Sequence, residues 1–537
     1  CGMRAHYYGG LYRSTTPLLE SRTVGQGGSE FDLRYARGVG VDRQAGGLVV
    51  TIDADQPTDL WLVNTAESTI SRWDPALDPP EEAGRYRVGL PAGECPGECC
   101  WADGCNMPSR VAIDSAGNAY VASRGFQFQG TVTKIAGNLN ECIDRNNNGR
   151  IDTSRDAVAL GYGEDECVLW TQPVGPRNTV LRALTIDIGD AQHPAGYVWV
   201  GGYNTRKLYK LNPATGEVLL DVDLEVQPYG ALVTGSGQIY VSTLGEGRLQ
   251  TVDSRTNAAG PVIANPDGLR DGCRSSYGLT LDSAGRIWLS GWDCPDAVAY
   301  NPEDASWCRV ELPFGHQVGR GIAGDPRGRV WAAVGGDEQS HVAWWAGDLC
   351  ESGNSNRLPE AQLIRGPAGT RGPTAVGSDS AGKIWMAHHI TPTLLRFDPS
   401  RGNQMTEFEG TNRVYSYSDF TGITRTMSLG LGTYDHEFRA NCEAPTWTNF
   451  GWDASIPEGG LVTFSVQTAD QRDKLDLAPL VRIAQVPADR SPMNVGAQLD
   501  AAGVEQQEYL RVRATLTLGA GGESPVLRQM VINWDCE

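Results

Sequence analysis

The chain has 537 residues, enough for more than one domain, and its 66 glycines, 18 tyrosines and 15 tryptophans suit turn-rich β structure. Its net charge of −20 argues against nucleic acid or anionic lipid as general partners. No apolar run reaches the roughly 18–20 residues that cross a bilayer as a helix, and thirteen cysteines point away from a reducing cytosol.

Residues 1–30 are polar, rich in Gly, Ser and Thr, and without period, so they read as a tether. The opening Cys1-Gly2 resembles a mature bacterial lipoprotein, which implies a lipid on Cys1 as the membrane link and a place in the cell envelope, at the outer membrane or cell surface. From residue 31 a unit recurs: a strand, a turn opened by Asp, and a strand ending in an aromatic residue. Asp114 opens DSAGNAY, Asp282 DSAGRIW, Asp325 DPRGRVW and Asp379 DSAGKIW, and a degenerate copy, TGSGQIY, starts at Thr234. Asp42 and Asp187 head copies with longer turns, which makes seven. Apolar faces that one unit cannot bury alone, repeated every ~40–50 residues, predict a β-propeller.

The phrase G-[ILV]-x-x-D-x-x-G-x-[IV]-W resembles the seven-bladed propellers of the streptogramin-lyase-like and NHL-like group, over Arg37 to about Gly402. The expected fold is all-β: a seven-bladed propeller over 31–428, with insertions at 76–109 and 138–181, followed by a small jelly-roll-like β-sandwich over 429–537. In the sandwich, Leu510, Val512, Ala514 and Leu516 fall on one face. Residues 31–75 are expected to form the first blade. Either Glu407–Gly422 or Glu30–Tyr35 should complete a blade begun by the other end of the ring.

The insertion ECIDRNNNGRID has calcium-loop spacing. Asp144, Asn146, Asn148 and Asp152 supply side-chain oxygens at positions 1, 3, 5 and 9, Arg150 supplies a carbonyl at 7, and Gly149 sits at the bend. Position 12 is Arg155, with Asp156 one residue late. The expectation is a structural Ca2+ site clamped by a Cys142–Cys167 bridge, and the alternative is an ion-free Asn/Asp/Gly turn. Sequence neighbours suggest further bridges Cys273–Cys294, Cys308–Cys350 and Cys442–Cys536. Cys95, Cys99, Cys100 and Cys105 lack a nearby His and a standard zinc spacing, which favours two disulfides, in any of three pairings, over a zinc knuckle.

Five residues before the turn anchors stand Arg37, Ser109, Arg182, Tyr229, Tyr277, Arg320 and Thr374. Equivalent blade positions lie on one circle, so Arg37, Arg182, Tyr229, Tyr277 and Arg320 form a candidate ligand-binding mouth. The competing reading pairs these arginines with acids on neighbouring blades. In the lyases the resemblance implies a His and Glu set with magnesium. Here the matching phrases WLSGW, WAAVG and WMAHH lack the Glu and keep only His388 and His389. The expectation is therefore a non-catalytic binding or scaffolding module for a protein or glycan ligand at the propeller face or the sandwich, with a subunit of an extracellular assembly as one form of it. The alternative is a lyase-like or lactonase-like metal enzyme.

Overall fold

The computed structural model describes residues 20–25, 30–32, 36–37, 39–42, 44–50, 59–91, 106–190, 192–193, 195–245, 247–265, 276–291, 296–312, 320–350, 360–442, 444–519 and 523–536. Six four-stranded antiparallel sheets and one three-stranded sheet follow in chain order. Their inner strands are Pro108–Ile113, Leu181–Ile186, Gly230–Val233, Ser276–Leu281, Ile322–Gly324 and Pro373–Ser378. Each lies beside the next around a central channel.

The first blade has three strands of its own, Leu60–Asn64, Thr69–Asp74 and Glu81–Arg87. Its inner edge is filled by residues 414–420. Asn64 bridges Val414, the Tyr415 N–H donates to Val63 O at 2.9 Å, and the Trp61 N–H donates to Phe420 O at 2.9 Å. The segment after the seventh blade thus closes the ring and gives a seventh sheet its missing strand, so no inner edge is left to template other chains.

The repeated motif has a direct physical cause. Asp282 Oδ1 accepts the turn N–H groups of Ala284 and Arg286, and its Oδ2 accepts the Trp288 indole N–H at 2.8 Å. Asp325 holds Trp331 at 2.9 Å, Asp379 holds Trp385 at 2.7 Å and Asp187 holds Trp199 at 2.8 Å in the same way. All four indoles are fully buried, where an unpaired N–H is costly. The turn glycine has positive φ, 81° at Gly285 and 78° at Gly328. The glycine ahead of the apolar run lets inner strands approach, since a Cβ on Gly278 would stand 2.3 Å from Arg320 O.

Two expectations for the N-terminal region are corrected. Part of the supposed tether, Glu20–Gly25, is a strand paired with Val526–Cys536, Glu20 facing Trp534. The hairpin of Val39–Asp42 and Gly47–Val50 is not a blade. It joins the same sheet, Leu48 facing Leu527, and Val39 and Leu48 are buried in the sandwich core. Asp42 heads this turn as other aspartates head blade turns, accepting the Gln44 N–H at 2.7 Å, so the local signal is shared while the packing differs.

The sandwich's second sheet runs Ala36–Arg37, Leu431–Arg439, Tyr509–Thr517, Leu461–Ala469, Val481–Val486. Trp447, Trp534, Phe450 and Phe464 fill the space between the sheets together with Leu510, Val512, Ala514 and Leu516. Cys442–Cys536 ties the ends of a 94-residue separation, and Cys142–Cys167 is also formed. Cys308 is disulfide-bonded as well; the side chain of Cys350 and all of Cys1, Cys95, Cys99, Cys100, Cys105, Cys273 and Cys294 lie outside the described residues.

Candidate functional site: the open mouth of the ring

The two ends of the channel differ. At one end the chain leaving the closing strand turns into helix α1 (Ile423–Leu429), which buries Ile423, Met427 and Leu429 against the inner strands. Arg425 there donates to Ile186 O at 3.4 Å, Asp187 O at 3.0 Å and Ala195 O at 2.9 Å. The Ser428 hydroxyl donates to Val233 O. Behind α1 a cavity of about 40 Å³ reaches inward to Arg110, room for little more than a water.

Arg110 closes that cavity from the other side. It is 1% exposed, and its guanidinium donates to Tyr417 O at 3.0 Å, Tyr229 O at 2.7 Å and Tyr277 O at 3.4 Å, backbone groups of the closing segment and of two different blades. Its Cζ lies 3.9 Å from the Tyr417 ring centroid, a cation–π contact in a desolvated place.

Over this floor sits the other mouth, which no helix covers among the described residues. Tyr229, Tyr277 and Tyr417 pack as one cluster, with Tyr203, Leu244 and Tyr415 half-buried around them. Tyr277 and Tyr415 share a hydroxyl–hydroxyl bond. Arg182 donates from Nη1 to the Tyr417 hydroxyl at 2.8 Å and lies 5.0 Å from the Tyr229 ring centroid. Arg124 donates to Met107 O and Thr65 Oγ1, both at 2.8 Å. Arg124 and Arg182 both lie over Phe126, at 5.2 and 5.5 Å.

Burial pulls the Arg110 and Arg124 guanidiniums down from their usual range. Burial opposes ionisation of Tyr417 too, but the charges of Arg182, Arg110 and Arg124 overcome it and bring that phenol down to about 7. Burial holds the Tyr229 and Tyr277 phenols well above their ordinary value. Among the described residues, Arg110, Arg124 and Arg182 make no ion pair with any carboxylate.

Arg182, Tyr229 and Tyr277 thus meet as the repeat register suggests, and Arg320 joins the rim. Arg320 pairs with Asp337, and its Nη1 lies 2.9 Å from His389 Nδ1. The reading in which the arginines neutralise acids therefore holds for Arg320, with an acid of its own blade, and fails for Arg182. Arg37 is corrected: it belongs to the sandwich sheet, facing Thr433, because residues 36–50 pair there and not with the ring. Arg110, Arg124, Tyr415 and Tyr417 were missed. Arg110 stands one residue after the counted position, Ser109, which falls in a register irregularity that the inner strands of Arg182 and Tyr277 share.

His388 is fully buried, its Nδ1 2.9 Å from Thr393 O and its Nε2 2.6 Å from the Ser340 hydroxyl, and burial drops it to about 4. It is a packed neutral imidazole. His389 does reach the rim, with Nε2 3.4 Å from Asp337.

The residue 144–152 loop is a tight turn held by Asp144. Asp144 accepts the N–H groups of Asn148 at 3.1 Å and Gly149 at 2.9 Å, and Asn147 and Gly149 take positive φ. Glu166, 2% exposed and missed from sequence, clamps both ends. It accepts the Arg145 N–H at 2.8 Å and the Asp152 N–H at 2.8 Å. The amides of Asn146 and Asn148 and the Arg150 guanidinium all point at Asp152. Arg155 is exposed and Asp156 accepts the Val158 N–H, so neither stands as a twelfth-position ligand.

No protein-family model and no curated protein sequence matches the chain. Solved structures similar to it include a virginiamycin B lyase from Staphylococcus aureus, 13% identical, TM-score 0.41, over 57% of this chain and 85% of that one. A streptogramin B lyase is 12% identical, TM-score 0.44, over 69% and 95%. A protein from Lactobacillus plantarum is 10% identical, TM-score 0.44, over 67% and 98%. None of the three reaches a TM-score of 0.5, and the propeller is established by its own strand pairing.

Proposed function

We propose that this chain is a binding module of the bacterial cell envelope that engages a protein or glycan ligand at the open mouth and does not transform it. The observation that carries the reading is the asymmetry of the channel: one end is closed by α1 and Arg110, and the other presents tyrosines with Arg124 and Arg182, which no carboxylate among the described residues neutralises. The disulfides support an oxidising compartment. Against a lyase-like or lactonase-like metal enzyme stands electrostatics, since guanidiniums at the mouth repel a divalent cation. Asp337 beside His389 is the feature that would serve such an enzyme, but Arg320 already engages both.

Hydrogen–deuterium exchange of the full chain with and without envelope glycan and protein fractions tests this. Protection of residues 124–130, 203–206 and 412–417, with the ligand recovered unchanged by mass spectrometry, is expected. Protection confined to the α1 end or to the sandwich, or recovery of a cleaved ligand, overturns it.

We further propose Ca2+ as a structural ion of the 144–152 loop, held by Asp144, Asn146, Asn148, Asp152 and the Arg150 carbonyl. The fit is partial: the two amides must turn their oxygens inward and Arg150 must leave Asp152. Calcium over EGTA should raise the melting temperature, and Asp144→Ala should abolish the difference; equal melting in both buffers removes the ion from the account.

A further inference from the structure

Arg182 and Arg124 have donors to spare. Of the Arg182 guanidinium only Nη1 is engaged, so Nε and Nη2 have no partner among the described residues. Arg124 uses Nε and Nη2 and leaves Nη1. Like charges held over one phenyl ring repel each other, and no acid among the described residues pairs with them. A partly ionised Tyr417 offsets at most one of three guanidinium charges. Such an arrangement costs folding energy and is relieved by an arriving anion. The rim around it is aromatic: Phe126, Tyr203 and Tyr415 are half-buried, Phe126 and Tyr415 with ring faces toward the arginines, and Gln127 and Asn204 are exposed.

We propose that the open mouth takes the carboxylate of an acidic sugar residue between Arg182 and Arg124, with the sugar ring against Phe126, Tyr203 and Tyr415. This rests on the binding reading above and specifies its ligand. A planar carboxylate matches the guanidinium fork. A pyranose ring offers C–H faces to aromatic rings and hydroxyls to amides and water. An acidic peptide would bring the same carboxylate, but its backbone offers no C–H face to lie against the rings.

Calorimetric titration of the full chain with tetragalacturonate, its methyl ester and hexaglutamate separates the cases. Tetragalacturonate should bind at least about tenfold more tightly than the ester, which has the same sugar without the charge. Arg182→Gln should cost about tenfold or more in that affinity, and Arg182→Lys, which keeps charge but loses the fork, should recover part of it. If Arg182→Gln melts early, Arg182→Lys and Arg124→Gln carry the test. Equal affinity for acid and ester, or an Arg182→Gln protein with native melting and unchanged affinity, overturns the proposal. Tighter, Arg182-dependent binding of hexaglutamate overturns the sugar class and leaves the mouth as a binding surface. No binding of any of the three overturns the acidic-sugar assignment alone. The binding reading falls only if exchange protection also bypasses the mouth.

Discussion

The two ends of the channel use the same residue to opposite effect. At the sealed end Arg425 is buried and hands its protons to three carbonyls, and the acids Asp114, Asp187 and Asp419 surround it. At the open end Arg182 and Arg124 are nearly as enclosed, yet their company is rings and hydroxyls. A buried arginine with acids around it and carbonyls to bond is part of the frame, and one with donors left over and no acid among the described residues is an offer to something outside. Arg110, between them, bonds three carbonyls as a frame residue does, while its Nε is buried without a partner.

That contrast orders the expected effects of substitution. Arg110→Met should be the most damaging, by about 3 kcal/mol or more, because three carbonyls lose their donor at the axis. Thermal unfolding of the variant should show it, and a shift of only a degree or two would make Arg110 a mouth residue instead. Arg425→Met should cost about 2–3 kcal/mol for the same reason at the α1 end, with faster exchange of the α1 amides. Arg182→Gln should change stability by no more than about 1 kcal/mol, since it removes a repulsion along with a hydrogen bond. A large loss would place Arg182 in the frame.

The smallest and most specific effect belongs to Tyr417. Its folded-state ionisation near 7 lies below the ordinary tyrosine value of about 10. Between these values the unfolded chain binds more protons than the folded one, so this phenol adds stability as pH rises from about 7 to about 10, and that contribution is lost as pH falls through 7. Tyr417→Phe should flatten that part of the stability profile and remove a phenolate absorbance change near neutral pH. If both persist in the variant, another group is responsible.

The blades were legible because their signal is chemical as well as periodic. An aspartate that caps a turn and also holds a buried indole leaves a fixed six-residue spacing, as at Asp282–Trp288, Asp325–Trp331 and Asp379–Trp385. The hairpin at Asp42 misled because turn chemistry is local, whereas the sheet a hairpin joins is decided by partners such as Leu527, far along the chain. The closing strand was foreseen as one of two options because Val414–Phe420 has strand character but no blade turn. At the mouth, Arg182, Tyr229, Tyr277 and Arg320 followed from register. Arg110 did not, because it stands one residue past the counted position, and Tyr417 did not, because it comes from outside the repeat. The calcium-type turn was readable in its Asn and Gly residues, while its inner clamp, Glu166, carries no local signature.

The pairing of Glu20–Gly25 and Gly47–Val50 with Val526–Cys536 has a kinetic corollary. During synthesis, these early strands must wait for nearly the whole remaining chain before their partner emerges, and the cost of closing so long a loop delays their docking. All seven blades and their closing segment lie within that interval. The ring can therefore be assembled before the sandwich is complete, and until then the early strands carry unpaired edges that invite association with other chains.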